Sequence, residues 1–287
     1  MNVLVATDGS KFGTWGLNWV AKLPFVEPAR VTALHVVDIA SLRAPFLSQP
    51  VMAGMERYIQ EEVRRMDARS AKALKEAKLQ LATLKLKGVV RKEQGAIAST
   101  ILKRAPKRDG LLVVGSQGLD ALDRFMLGSV STNLIHHATC PVLVVKDEAA
   151  PLRRITLATD GSAASAKALA FVVKNFRPDT STGKGGSVPI HVTVIHAMPF
   201  IKYPELKTAG RHLVEQNLRK LVKAGFTAEA VYQLGKPAEE IMKAASKHQA
   251  DLIVMGAKGL GAIARFLLGS VSTRVVQHSA CSVLVVR

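Results

Sequence analysis

The sequence predicts an α/β protein built from two tandem open five-stranded parallel sheets with helices on both faces. Three observations carry this reading. Short apolar runs rich in β-branched residues alternate with segments of helical spacing, the pattern of strands joined by crossover helices. The stretch from Leu111 to Val145, LLVVGSQGLDALDRFMLGSVSTNLIHHATCPVLVV, returns as LIVMGAKGLGAIARFLLGSVSTRVVQHSACSVLVV over 252–286. The tetrad TDGS at 7–10 also recurs letter for letter at 159–162. A repeat of this span within 287 residues reads as two domains, 1–147 and 152–287, joined by the short polar segment KDEAAPL at 146–152.

The elements follow in order. NVLVAT at 2–7, closed by Asp8-Gly9-Ser10, is a buried strand ending in a turn. Helical spacing from about residue 13 to 23 puts Trp15, Trp19 and Val20 on one side. VTALHVV at 31–37 is the second strand. A proline-bearing loop over Ser41–Met52 leads to a long charged helix, about Met55 to Leu86, which Gly88 is expected to end before an edge-like strand at Val89-Val90. Gly95 precedes a helix over Ala96–Arg104. Strand 111–114, a glycine loop, a helix from about 129 to 138 and strand 142–145 complete the first half. The second half repeats the order with Arg154–Thr159, a helix at about 164–176, HVTVIH at 191–196, and a shorter long helix at about 204–224. A strand over Ala228–Tyr232 and a helix over Lys236–Ser246 then precede the second glycine motif. The glycine-rich insertion Pro178–Pro189 reads as a flexible loop.

Composition narrows the function classes. Hydrophobic residues make up 48% and charged residues 22%, which argues for globular folding. No run approaches the roughly 20 apolar residues of a membrane span, and no basic leader precedes the first apolar run, so a cytoplasmic location is expected. Two cysteines, Cys140 and Cys281, imply no disulfide framework and read as small buried hydrophobes. The net charge of +18 would attract nucleotides, nucleic acid or anionic lipid without choosing among them. The basic residues lie mostly along helix faces, Arg57, Arg64, Arg65, Arg69, Lys72, Lys75 and Lys78 among them. With three tyrosines and two tryptophans there is no basic stripe interleaved with aromatics, and nucleic-acid binding is unsupported.

The repeated motif is G-x2-G-x9-G-S, carried by Gly115, Gly118, Gly128 and Ser129 and again by Gly256, Gly259, Gly269 and Ser270. A strand order of 3-2-1-4-5 puts the switch point between the first and fourth strands, so Asp8 and the Gly115 loop would face each other across one crevice. Glycines there would let backbone N–H groups approach a ligand and would permit positive φ. Gly128-Ser129 would open a helix whose unpaired N–H groups and dipole favour an anion, with Ser129 and Ser131 adding hydroxyl donors. The loop is neither a Walker A motif nor a dinucleotide G-x-G-x-x-G. Plainer readings stand beside these. Ser129 and Ser270 are also candidate helix N-caps, and Asp8 and Asp160 candidate turn residues. His35 and His196, with no metal-spaced cluster around them, read as hydrogen-bonded residues near the crevice. Arg124 and Arg265, each four residues before the last glycine, would reach phosphate oxygens or remain surface charges.

Together the Asp after the first strand, the L-H-V-like second strand, G-x2-G-x9-G-[ST] and the terminal C-P-V-L-V-V-like strand resemble the universal stress protein family in its tandem form, over nearly the whole chain. The resemblance implies ATP binding. It places Asp8 and Val36 at the adenine and ribose side, Val114, Gly115 and Gly118 against the nucleotide, and Gly128, Ser129, Val130 and Ser131 at ribose and phosphates. The second set is Asp160, Ala197, Met255, Gly256, Gly259, Gly269, Ser270, Val271 and Ser272. Gln117 departs from the basic or histidine residue common there, whereas Lys258 keeps the charge, which implies a firmer phosphate hold in the second site. Ala197 trims the apolar contact with a base. The resemblance further implies a built-in pseudo-dimer related by a pseudo-two-fold. Val142–Val145 and Val283–Val286 would then meet along one seam, with further homodimerisation open.

Three functions compete. The leading one is a nucleotide-dependent regulator of stress response or survival, binding ATP, with Mg²⁺ held through the phosphates and Asp8, and acting on a regulatory protein partner that the residues do not identify. No pair of general-base residues is placed in sequence near the loop and no S-G-G-x-D-S or H-x-G-H signature occurs, so at most slow hydrolysis, or autophosphorylation at a serine such as Ser129 or Ser131, is expected. The second is a non-nucleotide interaction or small-ligand module with idle loops. A true ATPase or nucleotidyl-transfer enzyme is the third.

Overall fold

A computed structural model describes residues 1–43, 53–107, 109–118, 127–181, 186–199, 204–259 and 268–287. The first half runs β1 (Asn2–Ala6), α1 (Lys11–Lys22), β2 (Arg30–Val37), α2 (Ile39–Arg43), α3 (Ala53–Thr83), β3 (Lys87–Gln94), α4 (Ile97–Arg104), β4 (Gly110–Gly115), α5 (Ser129–His137) and β5 (Val142–Val145). The second runs β6 (Arg154–Ala158), α6 (Ala163–Asn175), β7 (Asp179–Ser181), β8 (Ser187–Pro189), β9 (His191–Met198), α7 (Pro204–Lys223), β10 (Thr227–Leu234), α8 (Pro237–Lys247), β11 (Leu252–Gly256), α9 (Ser270–His278) and β12 (Ser282–Val286).

Each half forms a parallel sheet in the expected 3-2-1-4-5 order, and the two join into one ten-stranded sheet, β10-β9-β6-β11-β12-β5-β4-β1-β2-β3. The junction is antiparallel, with Val283, Leu284 and Val285 opposite Val144, Leu143 and Val142. VLVV has no polar alternation because these strands are buried on both faces, and pairing them covers two edges.

The core is continuous across the seam. On one face Val3, Val5 and Trp19 belong to the same cluster as Leu157, Val172 and Phe176. On the other, Leu112 and Val142 share a cluster with Ile253 and Val283. Polar clasps fix the register. Trp19 Nε1 donates to Asp147 O at 3.0 Å, Ser282 Oγ donates to Asp147 Oδ1 at 2.6 Å, and the Arg287 guanidinium donates to Ile135 O. Beyond the ends of α1 and α6, Phe25 and Phe176 form an antiparallel bridge, their rings tilted by 55° with centroids 5.8 Å apart.

Local chemistry explains most element ends. Ser10 and Ser162 cap α1 and α6 by accepting from Gly13 N at 3.3 Å and Ser165 N at 3.2 Å. Three expectations need correction. The long helix α3 stops at Thr83, the turn is made by Lys85 at φ 54°, and Gly88 lies inside an eight-residue β3. The second half makes the same turn with Gly225 at φ 91°, which costs less than a lysine in the left-handed region. The insertion read as a flexible loop carries a two-stranded hairpin, β7 against β8, so alternate Thr180 and Val188 pairing outweighs its glycine content. Finally, the loop expected from Ser41 begins with helical residues of α2, and its remainder, 44–52, lies outside the described residues.

Lys146 sits in the seam. Its Nζ donates to Ser279 O at 2.7 Å and Gln277 O at 3.2 Å. Burial nonetheless draws its ammonium down from the ordinary 10.5 to about 8, against the pull of Asp147 and Cys281. Because the unfolded lysine keeps its proton up to higher pH, the unfolded state binds more protons between about 8 and 10.5, and stability rises with pH in that window. Denaturant titrations at pH 7.5 and 10 should therefore show the wild type gaining on Lys146→Gln at the higher pH. A constant difference would refute the buried ammonium. The two thiols are pushed up by burial, Cys140 to about 11 and Cys281 to about 12, which fits inert packing rather than reactivity.

Candidate functional site

At the carboxyl ends of β1 and β4 lies a cleft of about 400 Å³, and all nine residues expected in the first site line it. The turn after β1 builds one wall. Ser10 N donates to Asp8 Oδ1 at 2.9 Å while Gly9 takes φ 83°. Making the turn with one oxygen leaves Asp8 in the cleft wall with the other: a Cβ on Gly118 would come within 2.8 Å of Asp8 Oδ2. Asp160 and Gly259 repeat this at 2.6 Å, with Ser162 N donating to Asp160 Oδ1 at 3.0 Å.

The opposite wall is the glycine loop. Ser131 Oγ donates to Gly115 O at 2.6 Å and Gly128 N donates to Ser116 O at 2.8 Å. The second half repeats both bonds, from Ser272 Oγ to Gly256 O at 2.9 Å and from Gly269 N to Ala257 O at 2.8 Å. The hydroxyl protons of Ser131 and Ser272 therefore hold the loop against the helix, which corrects the expected use of the Ser131 hydroxyl as a ligand donor. Ser129 and Ser270 are not N-caps either. Gly128 and Gly269 hold the cap positions, no side chain caps α5 or α9, and no acidic residue stands in either first turn. Among the described residues no acidic side chain caps these helix starts, which present N–H groups and positive dipole ends.

The motif glycines have steric rather than conformational reasons. Gly115, Gly118 and Gly128 are not at positive φ, contrary to expectation. A Cβ on Gly115 would meet Phe12 Cβ at 2.6 Å, and one on Gly256 would meet the Ala164 carbonyl carbon at 2.6 Å and Ser165 N at 2.7 Å. These two glycines let α1 and α6 close on the strand ends, which narrows the cleft. At Gly128 and its counterpart Gly269, whose nearest neighbours would be 3.6 and 3.4 Å away, a Cβ is accommodated in ordinary contact.

The apolar floor was only half legible. Val36 and Val114 were expected, but Ala6, Leu34, Ile97, Ile101 and Leu134 also line the cleft. The signal was the Ile97/Ile101 pair one helical turn apart directly after Gly95, matched by Pro237/Ile241 after Gly235. His35 is buried, its Nδ1–H donating to Thr7 O at 2.9 Å and its Nε2 hydrogen-bonded with Ser70 Oγ at 3.0 Å, so it braces the turn. His196 Nδ1–H likewise donates to Thr159 O at 2.8 Å. Arg124 and Arg265 lie outside the described residues. Among the described residues no group of three His, Cys, Asp or Glu is arranged to hold a metal.

A crevice at the switch point of a 3-2-1-4-5 sheet, with its turn and loop contacts repeated in the second half, invites comparison with known proteins. The family model described as "Universal stress protein family" matches residues 1–146 and 151–287. The chain belongs to the universal stress protein family. A universal stress protein of Mycolicibacterium smegmatis is 31% identical over 300 residues, covering 99% of this chain and 96% of that protein. One from Mycobacterium tuberculosis is 25% identical over 100% of this chain and 96% of its own length. A solved universal stress protein structure from Archaeoglobus fulgidus shares the fold, with TM-score 0.68 at 23% identity, covering 100% of this chain and 98% of that one. This universal stress protein therefore carries the family model twice. No described helix is long and apolar enough to cross a membrane.

Proposed function

We propose that each half of the chain binds one adenine nucleotide, ATP, and that the protein acts as a nucleotide-dependent regulator. The observation that supports this best is the meeting in one cleft of three chemistries: an apolar floor suited to a base, a carboxylate suited to ribose hydroxyls, and an uncapped helix start suited to phosphate. The floor is Val36, Val114, Ile97 and Ile101; the carboxylate is Asp8; the helix start is Gly128-Ser129-Val130. In the second half Ala197, Met255, Asp160 and Gly269-Ser270-Val271 take the same parts, with Gly259 opposite Asp160. Mg²⁺ would enter with the phosphates, with Asp8 and Asp160 as the carboxylates at the two clefts.

Protein purified under native conditions should carry adenine nucleotide by mass spectrometry, or take it up in calorimetry with micromolar affinity. Absence of both overturns the reading. The second cleft should hold triphosphate more firmly, because Lys258 stands where the first has Gln117. We expect Lys258→Gln to weaken the tighter of two resolved binding steps by about tenfold, the worth of one charge-assisted hydrogen bond; an unchanged step would remove Lys258 from the phosphate side.

A further inference from the structure

The strand-start end of the first half, opposite its cleft, has a groove of about 520 Å³ between the end of α4 and the sheet edge. Arg30, Lys87 and Arg104 line it, with Leu4, Val89 and Pro106 as apolar surface. Arg30 and Lys87 are register partners on adjacent parallel strands, an arrangement of like charges that costs stability. Arg104 is paired with Glu93 at 2.6 Å. Among the described residues no ion pair joins Arg30, Lys87 or Arg91 to a carboxylate.

The second half shows how the fold fills the same place when it is closed. His191 stands for Arg30 and Glu229 for Val89. Glu229 Oε1 is met by His248 Nδ1 at 2.7 Å, Thr193 Oγ1 at 2.8 Å and His191 Nε2 at 3.2 Å. There α8 runs 11 residues, against 8 in α4. The first half thus leaves open, and lines with cations, a site that its twin fills with a histidine–carboxylate cluster.

The open groove adjoins a free strand edge. Among the described residues β3 pairs with β2 alone at the end of the sheet, so no described strand lies beside its outer backbone N–H and C=O groups. On the groove face its side chains alternate Lys87, Val89, Arg91, and Val89 is 53% exposed. We propose that β3 and this groove dock an acidic, extended segment of a partner protein, added to the sheet edge as an eleventh strand. The segment reads acid, apolar, acid at alternate positions. Its carboxylates meet Lys87 with Arg30, and Arg91, while its apolar residue covers Val89. Backbone pairing supplies affinity and the alternate side chains supply choice.

The test is fluorescence anisotropy with a labelled peptide containing Glu-Thr-Val-Thr-Glu flanked by threonines, using the full chain. Saturable binding is expected. The double variant Lys87→Glu/Arg91→Glu should weaken it at least about tenfold and should instead bind the peptide with lysines in place of the glutamates. The milder Lys87→Gln/Arg91→Gln pair, checked by thermal melt for an unchanged fold, should fall between. N-methylation of alternate peptide amides should abolish binding, whereas Asp8→Asn should leave it unchanged, which separates this site from the nucleotide cleft. Three outcomes overturn the proposal: no binding to the wild type, equal binding by the N-methylated peptide, or edge-to-edge self-association of the chain in place of peptide binding.

Discussion

Gly256→Val is expected to destabilise the protein by about 3 kcal/mol, the upper end of ordinary overpacking costs. The new Cβ would lie 2.6 Å from the Ala164 carbonyl carbon and 2.7 Å from Ser165 N. Both are backbone atoms in the first turn of α6, which Ser162 caps, so neither can yield without shifting the helix. The mutation therefore reports on folding first and on ligand binding second. Gly115→Val meets the side-chain carbon of Phe12 and should behave similarly. Gly128→Ala is the informative contrast: with its nearest neighbours 3.6 Å away and φ at −62°, it should cost about 1 kcal/mol or less, as expected for glycine to alanine at a helix cap. Urea midpoints for the three variants check this order. An unchanged midpoint for Gly256→Val would mean that α6 does not close on β11 as described.

The second large effect is expected at Asp8. Its carboxylate has two tasks on two oxygens: Oδ1 accepts from Ser10 N, and Oδ2 faces Gly118 across the cleft. Asp8→Ala removes both and should weaken nucleotide binding at the first cleft about 100-fold, in line with the roughly 1.5–3 kcal/mol of a hydrogen bond to a charged group. Asp8→Asn keeps an acceptor for Ser10 N but loses the charge and half the acceptor capacity, so it should cost about tenfold while leaving the thermal midpoint unchanged. Calorimetry with Asp160→Ala as background isolates the first cleft. Equal losses for Asn and Ala would show that the charge alone matters, and no loss in either would remove Asp8 from the binding surface.

These two cases show what sequence spacing could and could not reveal. The repeated TDGS and G-x2-G-x9-G-S located the cleft of the first half and the matching turn and loop of the second, because turns and helix starts are encoded by neighbouring residues. The unbroken apolar runs marked VLVV and its twin as doubly buried strands, whereas their meeting along one seam came from the family resemblance and not from spacing. The purpose of each glycine was not legible. Gly115 is glycine because of Phe12, and Gly256 because of Ala164, partners about 100 residues away in sequence. Nor could spacing show that Ser131 spends its proton on Gly115 O. The stop of α3 was misplaced because Lys85 occupies a left-handed position that glycine takes in the other copy. The hairpin in 178–189 was missed because local glycine content outweighed a short antiparallel pairing.

The antiparallel seam sets how the two clefts can be approached. Through the paired registers, Val114 at the first cleft is level with Val144, Val283 and Ile253, which is where β11 begins, while Met255 at the second cleft is level with Val285, Val142 and Leu112, where β4 begins. Each opening therefore sits beside the closed end of its twin. A partner that caps one opening leaves the other uncovered, so empty, singly filled and doubly filled chains would present different surfaces at separate addresses. With the proposed nucleotide in both clefts, the two fillings of one chain would differ in place, which those of a symmetric pair of identical chains would not.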